Sequence, residues 1–326
     1  MSDLLERVRG GGLLAAGQPV LVLLSGGRDS TCLLDVALRI AGQDAVQALH
    51  VNYGLREAAA ADEAHCRELC RALDIPLRVI GPARPQTGNV QAWAREERYA
   101  AAAGLAEELG ADVATGHTAT DQVETILYRL ASSPSRRALL GMSPRDGRLI
   151  RPLLGFSREE TAAHCRERGL GWREDESNQS DAYARARIRG RLVPALREIH
   201  PAAEENVLAV SAILRAEAAV LDALVDEALG DRHEIELAAL RDLPTALQRL
   251  VVQRLADDAA GGPAPGTARR VEELTALGRN AALDLPGGVR AVIRDGMLRF
   301  TRTPPLAASR ESKKHRRTQR GARVRP

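Results

Sequence analysis

Five apolar residues stand in a row at Val20–Leu24 and stop at Ser25-Gly26-Gly27-Arg28-Asp29-Ser30. A short unbroken apolar run predicts a strand buried on both faces, the setting of a parallel sheet. The stretch 30–41 then predicts a helix. The alternation continues with strands at 46–51, 77–80 and 111–115, and helices at 57–73, 90–109 and about 118–131. This order predicts right-handed crossovers in a doubly wound α/β sheet covered by helices on both faces. Ligands in such sheets sit beyond the carboxyl ends of the strands, where the six residues after the first strand fall.

Those six residues suit a phosphate. Gly26 and Gly27 let the backbone turn tightly and approach a ligand closely. The exposed N–H groups and the helix start behind them form an anion nest, and Ser25 and Ser30 add hydroxyl donors. The Gly-Lys-Ser/Thr ending of a Walker loop is missing. A plain strand–turn–helix corner with Asp29 as a cap is the competing explanation.

The rest of the chain divides less sharply. Residues 132–150 read as a loop-rich insertion, followed by helical stretches at 157–169 and 181–198. Pro201 marks a boundary, and 203–229 is a strongly helical Ala/Leu/Glu block. Residues 257–266, rich in Gly and Pro, resemble a linker. A hairpin is expected at 288–300 around Asp295-Gly296. Three parts follow: a first domain at 1–199, a smaller mainly helical domain at 200–305, and a basic, disordered tail at 306–326.

Charge supports that division. The 326 residues carry 46 Lys/Arg and 43 Asp/Glu, a net +3. Residues 306–326 hold eight of the basic groups against Glu311 alone, which leaves a body of net −4 and a tail of +7. A hydrophobic fraction of 44% excludes wholesale disorder. No apolar run approaches the ~20 residues of a membrane span. The N-terminus has no basic start leading into an apolar stretch, so no signal peptide is expected. Cys32, Cys66, Cys70 and Cys165 form no CxxC pair, and are expected as reduced core thiols of a cytoplasmic protein.

Ser-Gly-Gly-x-Asp-Ser resembles the loop of the pyrophosphatase-loop ATPases. Several further segments are similar to the tRNA(Ile)-lysidine synthetases within that class. They are His50-Val51-Asn52-Tyr53-Gly54-Leu55-Arg56, Asn89 to Arg95 with Arg98-Tyr99, and Gly116-His117 through Asp121-Gln122-Val123-Glu124-Thr125. Arg151-Pro152-Leu153-Leu154 and Glu174 to Asn178 with Arg185 and Arg189 follow in the family's order. Asp284-Leu285-Pro286-Gly287-Gly288 resembles the family's small second domain.

The resemblance implies an ATP-dependent ligase. ATP adenylates the wobble cytidine C2 oxygen of an isoleucine tRNA with a CAU anticodon, and free L-lysine then attacks C2 through its ε-amine, giving lysidine, AMP and pyrophosphate. Mg²⁺ is expected with ATP, at Asp29 first and Asp121 second. Ser25 to Ser30 are the expected ATP loop. His117, Asp121 and Glu124 are spaced to share one face of a helix starting at 117. Asp121 and Glu124 would hold the lysine ammonium, and a carboxylate or His117 would accept its proton. Arg95 would bind the lysine carboxylate or steady developing phosphate charge. Arg185 and Arg189, in an alternating series with Arg187 and Arg191, would track tRNA phosphates; salt bridges to nearby acids are the alternative. Oligomeric state is left open, a homodimer included.

The chain departs from the family pattern at four places. Thr120 stands for the first of two aspartates and Tyr53 for a histidine. Ala131 to Ser135 replace an Arg-Gly-Ser-Gly stretch, and Arg185-Ala186 replaces Arg-Asn. A tRNA 2-thiocytidine enzyme of the same class is the nearest rival, and it would want paired cysteines. An amidotransferase-type synthetase would need a glutaminase half. An inactive tRNA-binding homologue is the rival of a different kind.

Overall fold

A computed structural model describes residues 3–55, 58–83, 90–133, 136–173 and 184–303. The chain separates into two units, 1–215 and 216–326.

The first unit opens with helix α1 (Asp3–Gly10), strand β1 (Val20–Leu23) and helix α2 (Arg28–Ala41). It continues through β2 (Val46–Val51), α3 (Ala59–Ala72), β3 (Leu77–Ile80), α4 (Val90–Leu109), β4 (Asp112–Ala114) and α5 (Ala119–Ser132). Every residue of β1 is buried, and successive side chains enter opposite cores. Val20 and Val22 join the core that holds α1 and α2, while Leu21 and Leu23 join the one that holds Ala102 and Ala106 of α4. That two-sided burial is why the run is unbroken rather than alternating.

The sheet order is β3-β2-β1-β4-β6-β5. Strands β1 to β4 and β6 (Leu149–Ile150) pair in parallel, with Val20 opposite both Val46 and Asp112. The chain leaves β1 toward β2 and β3, then crosses by α4 to β4 on the other side. The gap between the carboxyl ends of β1 and β4 is therefore the switch point where such sheets bind ligands.

The expected loop-rich insertion at 132–150 ends differently. Its last residues form β6 and the antiparallel edge strand β5 (Arg145–Asp146), turning at Gly147 with φ +58°. Arg145 fixes this two-residue pair by donating from Nη2 and Nη1 to Asp112, at 2.8 and 3.1 Å. Strands this short carry no periodic signal of their own.

After α6 (Arg158–Glu167), α7 (Ala184–Arg187) runs into a π-helical turn at Ile188–Leu192 and then α8 (Val193–Ile199). The wide turn has a local cause. Pro194 has no N–H to give the Gly190 carbonyl, and the Val193 N–H bonds back five residues to Ile188.

Helix α9 (Ala203–Leu229) carries the division between the units. Its first half packs back on the first unit, with Val207 and Leu208 against Val123, Ile188 and Val193. Its last turns give Val225 and Leu229 to the second core. The division consequently falls at 215/216 rather than at 199/200, and Pro201 marks a turn between two helices of one unit.

The second unit adds β7 (Glu234–Glu236), α10 (Leu237–Asp242), α11 (Thr245–Ala260), α12 (Val271–Thr275), β8 (Ala281–Leu285), β9 (Val289–Arg294) and β10 (Met297–Arg302). The expected hairpin is β9–β10, turning at Asp295 and Gly296 with φ +51° and +89°. It lies inside a four-stranded antiparallel sheet, β7-β10-β9-β8, so strand content exceeds the expected single hairpin. The linker-like 257–266 is a packed corner. Gly261 caps α11 in the left-handed region, Ala264 is fully buried, and its N–H reaches Asp257 Oδ1 at 2.8 Å. A side chain on Gly287 would come within 2.8 Å of Ala264 Cα.

No helix among the described residues is long and apolar enough to cross a membrane. The basic tail, Glu174 to Asn178, Arg56 and Asn89 lie outside the described residues.

Candidate active site

Three segments meet at the carboxyl ends of β1 and β4: the loop Ser25–Ser30, the turn Thr115–Thr118, and the start of α6. Gly26 has φ +82°, and a side chain there would press on Cys66 Sγ at 3.1 Å. Ser30 shapes the loop, accepting from the Ser25 N–H at 3.2 Å and donating to the Gly27 carbonyl at 2.9 Å. The Ser25 and Ser30 hydroxyls lie 3.0 Å apart. These bonds hold the glycine backbone in its curve ahead of the α2 N-terminus. At Gly116 a Cβ would stand 2.9 Å from the Asp29 carbonyl carbon, so glycine is what allows the turn after β4 to lie against the loop.

His117 precedes the helix instead of starting it. Thr118 caps α5, and Asp121 reaches back as the third residue, its Oδ2 accepting from Thr118 N and Oγ1, each at 2.9 Å. The expected common helical face thus holds Asp121 and Glu124 but not His117, whose Nδ1 sits 2.8 Å from Thr115 Oγ1.

The carboxylates meet on Arg158. Its Nη2 donates to Asp121 Oδ1 at 3.0 Å and lies 3.9 Å from Glu124 Oε1, while its Nε lies 3.9 Å from Asp29 Oδ2. Asp29 Oδ1 accepts from Thr161 Oγ1 at 2.6 Å and Arg28 Nε at 3.1 Å. Arg189 forks Glu124 with Nε–Oε1 at 2.6 Å and Nη2–Oε2 at 3.0 Å. Burial would push the Asp121 carboxyl up, but Arg158, the Thr118 N–H and His117 outweigh it and hold the pKa below the usual range. Arg158 was missed in the sequence. One signal for it exists: a cation in the first turn opposes the helix dipole, at a helix start that Ser157 and Glu160 mark as a capping box.

Arginines without carboxylate partners among the described residues line the other side. The Arg95 and Arg98 guanidiniums sit over the Tyr99 ring, 4.8 and 5.2 Å from its centroid. Arg151 Nη1 donates to the Ser143 carbonyl and Arg129 Nη1 to the Gly141 carbonyl, both at 2.5 Å. Buried Nε atoms of Arg98 and Arg151, and the Tyr99 hydroxyl, have no hydrogen-bond partner among the described residues. Burial pushes the Arg129 and Arg151 guanidiniums down, and Arg95 adds to both. His117 feels both sides. Burial pushes its pKa down to about 4, Asp121 opposes this, and Arg151, Arg98 and Arg95 reinforce it.

The expected basic series is split by the π turn. Arg189 points inward to Glu124, so it is not part of an open phosphate-tracking surface; Arg185 contributes charge near Arg129. Tyr53, at one departure from the family pattern, packs edge-on against Trp93 at 5.8 Å. All four cysteines are buried and free.

A family model described as a PP-loop domain matches residues 6–196. A tRNA(Ile)-lysidine synthase from Symbiobacterium thermophilum is 37% identical over 339 aligned residues, covering 93% of this chain and 70% of that protein. One from Parasynechococcus marenigrum is 36% identical over 297 residues, covering 85% of this chain and 87% of that protein. The chain belongs to the tRNA(Ile)-lysidine synthase family. Relatives differ in length, and the chain spans 64% of the one from Dehalococcoides mccartyi. Among solved structures, the U34-tRNA thiolase NcsA from Methanococcus maripaludis superposes with a TM-score of 0.55 at 17% identity, over 65% of this chain and 78% of that one. That likeness concerns the fold. In this lysidine synthase family member the Ser25–Ser30 loop, Asp121 and Glu124 converge on a residue outside every segment that carried the resemblance, Arg158.

Proposed function

We propose that this chain makes lysidine in an isoleucine tRNA with a CAU anticodon, in the cytoplasm. The observation that carries this is the convergence of the Ser25–Ser30 loop and the Asp121/Glu124 pair on Arg158, in a chain of this family. In the first step the cytidine C2 oxygen attacks the ATP α-phosphorus and pyrophosphate leaves. In the second, the lysine ε-amine attacks C2, the C2–O bond to AMP breaks, and the nitrogen gives up a proton.

The loop amides from Gly26 to Ser30 and the α2 N-terminus bind the ATP phosphates. Asp29 fits Mg²⁺, because its Oδ2 accepts no hydrogen bond among the described residues while Oδ1 is held by Thr161 and Arg28. One or two carboxylates plus substrate phosphates suit that ion, which when bound neutralises phosphate charge. Asp121, its carboxyl held below the usual range by Arg158, and Glu124, oriented by Arg189, receive the lysine ammonium. Arg95 takes the lysine carboxylate. His117 is neutral at pH 7 and, with the carboxylates, is a proton acceptor within reach. Arg185 contributes to tRNA binding. The second unit supplies tRNA recognition outside the anticodon, since methionine tRNA presents the same CAU to the pocket.

The test is incorporation of labelled lysine into isoleucine and methionine tRNA transcripts, side by side, with ATP and Mg²⁺. Incorporation into the isoleucine tRNA alone is expected. No incorporation with tRNA binding intact would overturn the proposal in favour of an inactive tRNA-binding protein.

A further inference from the structure

Asp121 divides its two oxygens between two tasks. Oδ2 accepts from the Thr118 N–H and hydroxyl, each at 2.9 Å, and belongs to the cap of α5. Oδ1 accepts from Arg158 Nη2 at 3.0 Å. Losing the bond at Oδ1 therefore leaves the carboxylate held where it stands. Both side chains of that bond are 22% exposed, so a ligand can reach its place.

Arg158 is the most loosely held cation around the three carboxylates. Arg189 forks Glu124 with two close hydrogen bonds, on a side chain only 3% exposed. Arg28 bonds its neighbour Asp29 at 3.1 Å. Arg158 makes a single carboxylate hydrogen bond, and its approaches to Glu124 and Asp29, both 3.9 Å, are beyond hydrogen-bond reach. Its Nε, the atom nearest Asp29, is buried with no hydrogen-bond partner. The loose side of this guanidinium thus faces the Ser25–Ser30 loop.

Charge decides what this arrangement can accept. Asp29, Asp121 and Glu124 carry three negative charges, and Arg28, Arg158 and Arg189 match them. A lysine ammonium added to this cluster is an uncompensated cation beside two guanidiniums, since Arg189 Nη2 also lies 3.9 Å from Asp121 Oδ1. It would compete with Arg158 for the same oxygen. ATP phosphates at the loop bring negative charge to the Asp29 side of Arg158, and a guanidinium fork suits a phosphate better than one carboxylate oxygen. We infer that Arg158 and the lysine ammonium are alternative partners of Asp121 Oδ1, and that bound ATP draws Arg158 toward its phosphates and opens Asp121 to lysine. This rests on the ATP and lysine sites proposed above. It makes lysine binding conditional on the nucleotide, with Arg158 as the link.

Equilibrium dialysis of radiolabelled lysine against the full chain tests it, with and without α,β-methylene ATP, whose α–β bridge is not cleaved. Wild type is expected to bind lysine about 5- to 150-fold more tightly with the nucleotide, the ordinary range of coupling between two sites. Lysine should tighten nucleotide binding by the same factor, because coupling is reciprocal. Arg158→Gln removes the competing cation. It should bind lysine without nucleotide at least as tightly as wild type, and its coupling factor should be at least about fivefold smaller. Arg158→Lys keeps the charge and should keep part of the coupling. A residue that only supported the fold would weaken lysine binding equally in both conditions. Equal lysine affinity with and without nucleotide in wild type, or undiminished coupling in folded Arg158→Gln, would overturn the inference. The wild-type comparison decides even where the variant does not fold. Absence of lysine binding under every condition would instead overturn the lysine site itself.

Discussion

Arg189 holds Glu124 through two nearly parallel hydrogen bonds, 2.6 and 3.0 Å long, and the carboxylate beneath is almost fully buried. Removing one partner of such a pair leaves an uncompensated charge, at a cost of about 3–5 kcal/mol. Arg158, 3.9 Å from Glu124 Oε1, recovers part of that. Arg189→Ala should therefore lose about 3 kcal/mol of stability in denaturant melts. Adding Glu124→Gln should restore most of the stability and none of the lysine incorporation. Restored activity in the double variant would remove Glu124 from the reaction.

Asp29 lies in the Ser25–Ser30 loop, and its carboxylate contacts Thr161, Arg28 and Arg158. Asp29→Ala should lower pyrophosphate release by at least about 100-fold, the scale of losing one well-placed electrostatic group. Filter binding should find tRNA affinity within about twofold of wild type. An equal collapse of tRNA binding would make the loop's role structural.

Gly116→Ala tests the close approach of the two turns. Its Cβ would meet the Asp29 backbone at 2.9 to 3.0 Å, where no flexible side chain can give way. Overpacking of this kind costs about 1–3 kcal/mol. The displaced loop should raise KM for ATP by about tenfold or more, and unchanged ATP kinetics would show that the loop tolerates the shift.

His117 should titrate near pH 4 rather than near 6.5, because burial and three arginines disfavour its cation. Its folded pKa is lowered, so folding favours the neutral ring, and the stability this residue contributes falls as pH drops from about 6.5 toward 4. At pH 6 to 8 it should add no ionisation limb to the rate profile. Ring carbon shifts followed by NMR, compared with His117→Gln for assignment, check this. A midpoint near 6.5 would contradict it.

Beneath the site Asp35 is fully buried, with His164 Nε2 at 2.8 Å, Arg39 Nε at 3.0 Å and Arg168 Nε at 3.4 Å. Burial raises its pKa, but His164 and the two arginines outweigh that and hold it below the usual value. A carboxylate with a depressed folded pKa stabilises fully above its unfolded pKa of about 3.9, and that contribution is lost as pH falls through the folded value. Thermal melts of wild type and Asp35→Asn should differ by a constant amount above about pH 5 and converge below about pH 4. A gap that widens in acid would refute the assignment.

The parts legible in the sequence were those with local causes. Val20–Leu24 announced a doubly buried strand because each of its faces meets a core. The glycine loop, α4 and the Asp295-Gly296 turn depend on nearest-neighbour chemistry and stand where the sequence places them. The linker-like 257–266 misled because Gly and Pro serve a packed corner as well as a flexible one; only the seating of Ala264 beneath Gly287 distinguishes them. His117 left the expected helical face because Thr118 and Asp121 cap α5 one residue after it.

Arg158 and the inward turn of Arg189 belong to the tertiary structure. Asp29, Asp121, Glu124, Arg158 and Arg189 are spread over 160 positions and meet because the sheet order sets β1 beside β4. The sequence alone determined which strands, turns and loop chemistry the chain carries, since those follow from residues close together. Only the fold decided which charges share a low-dielectric pocket, because that depends on strand order and packing between residues far apart in the chain.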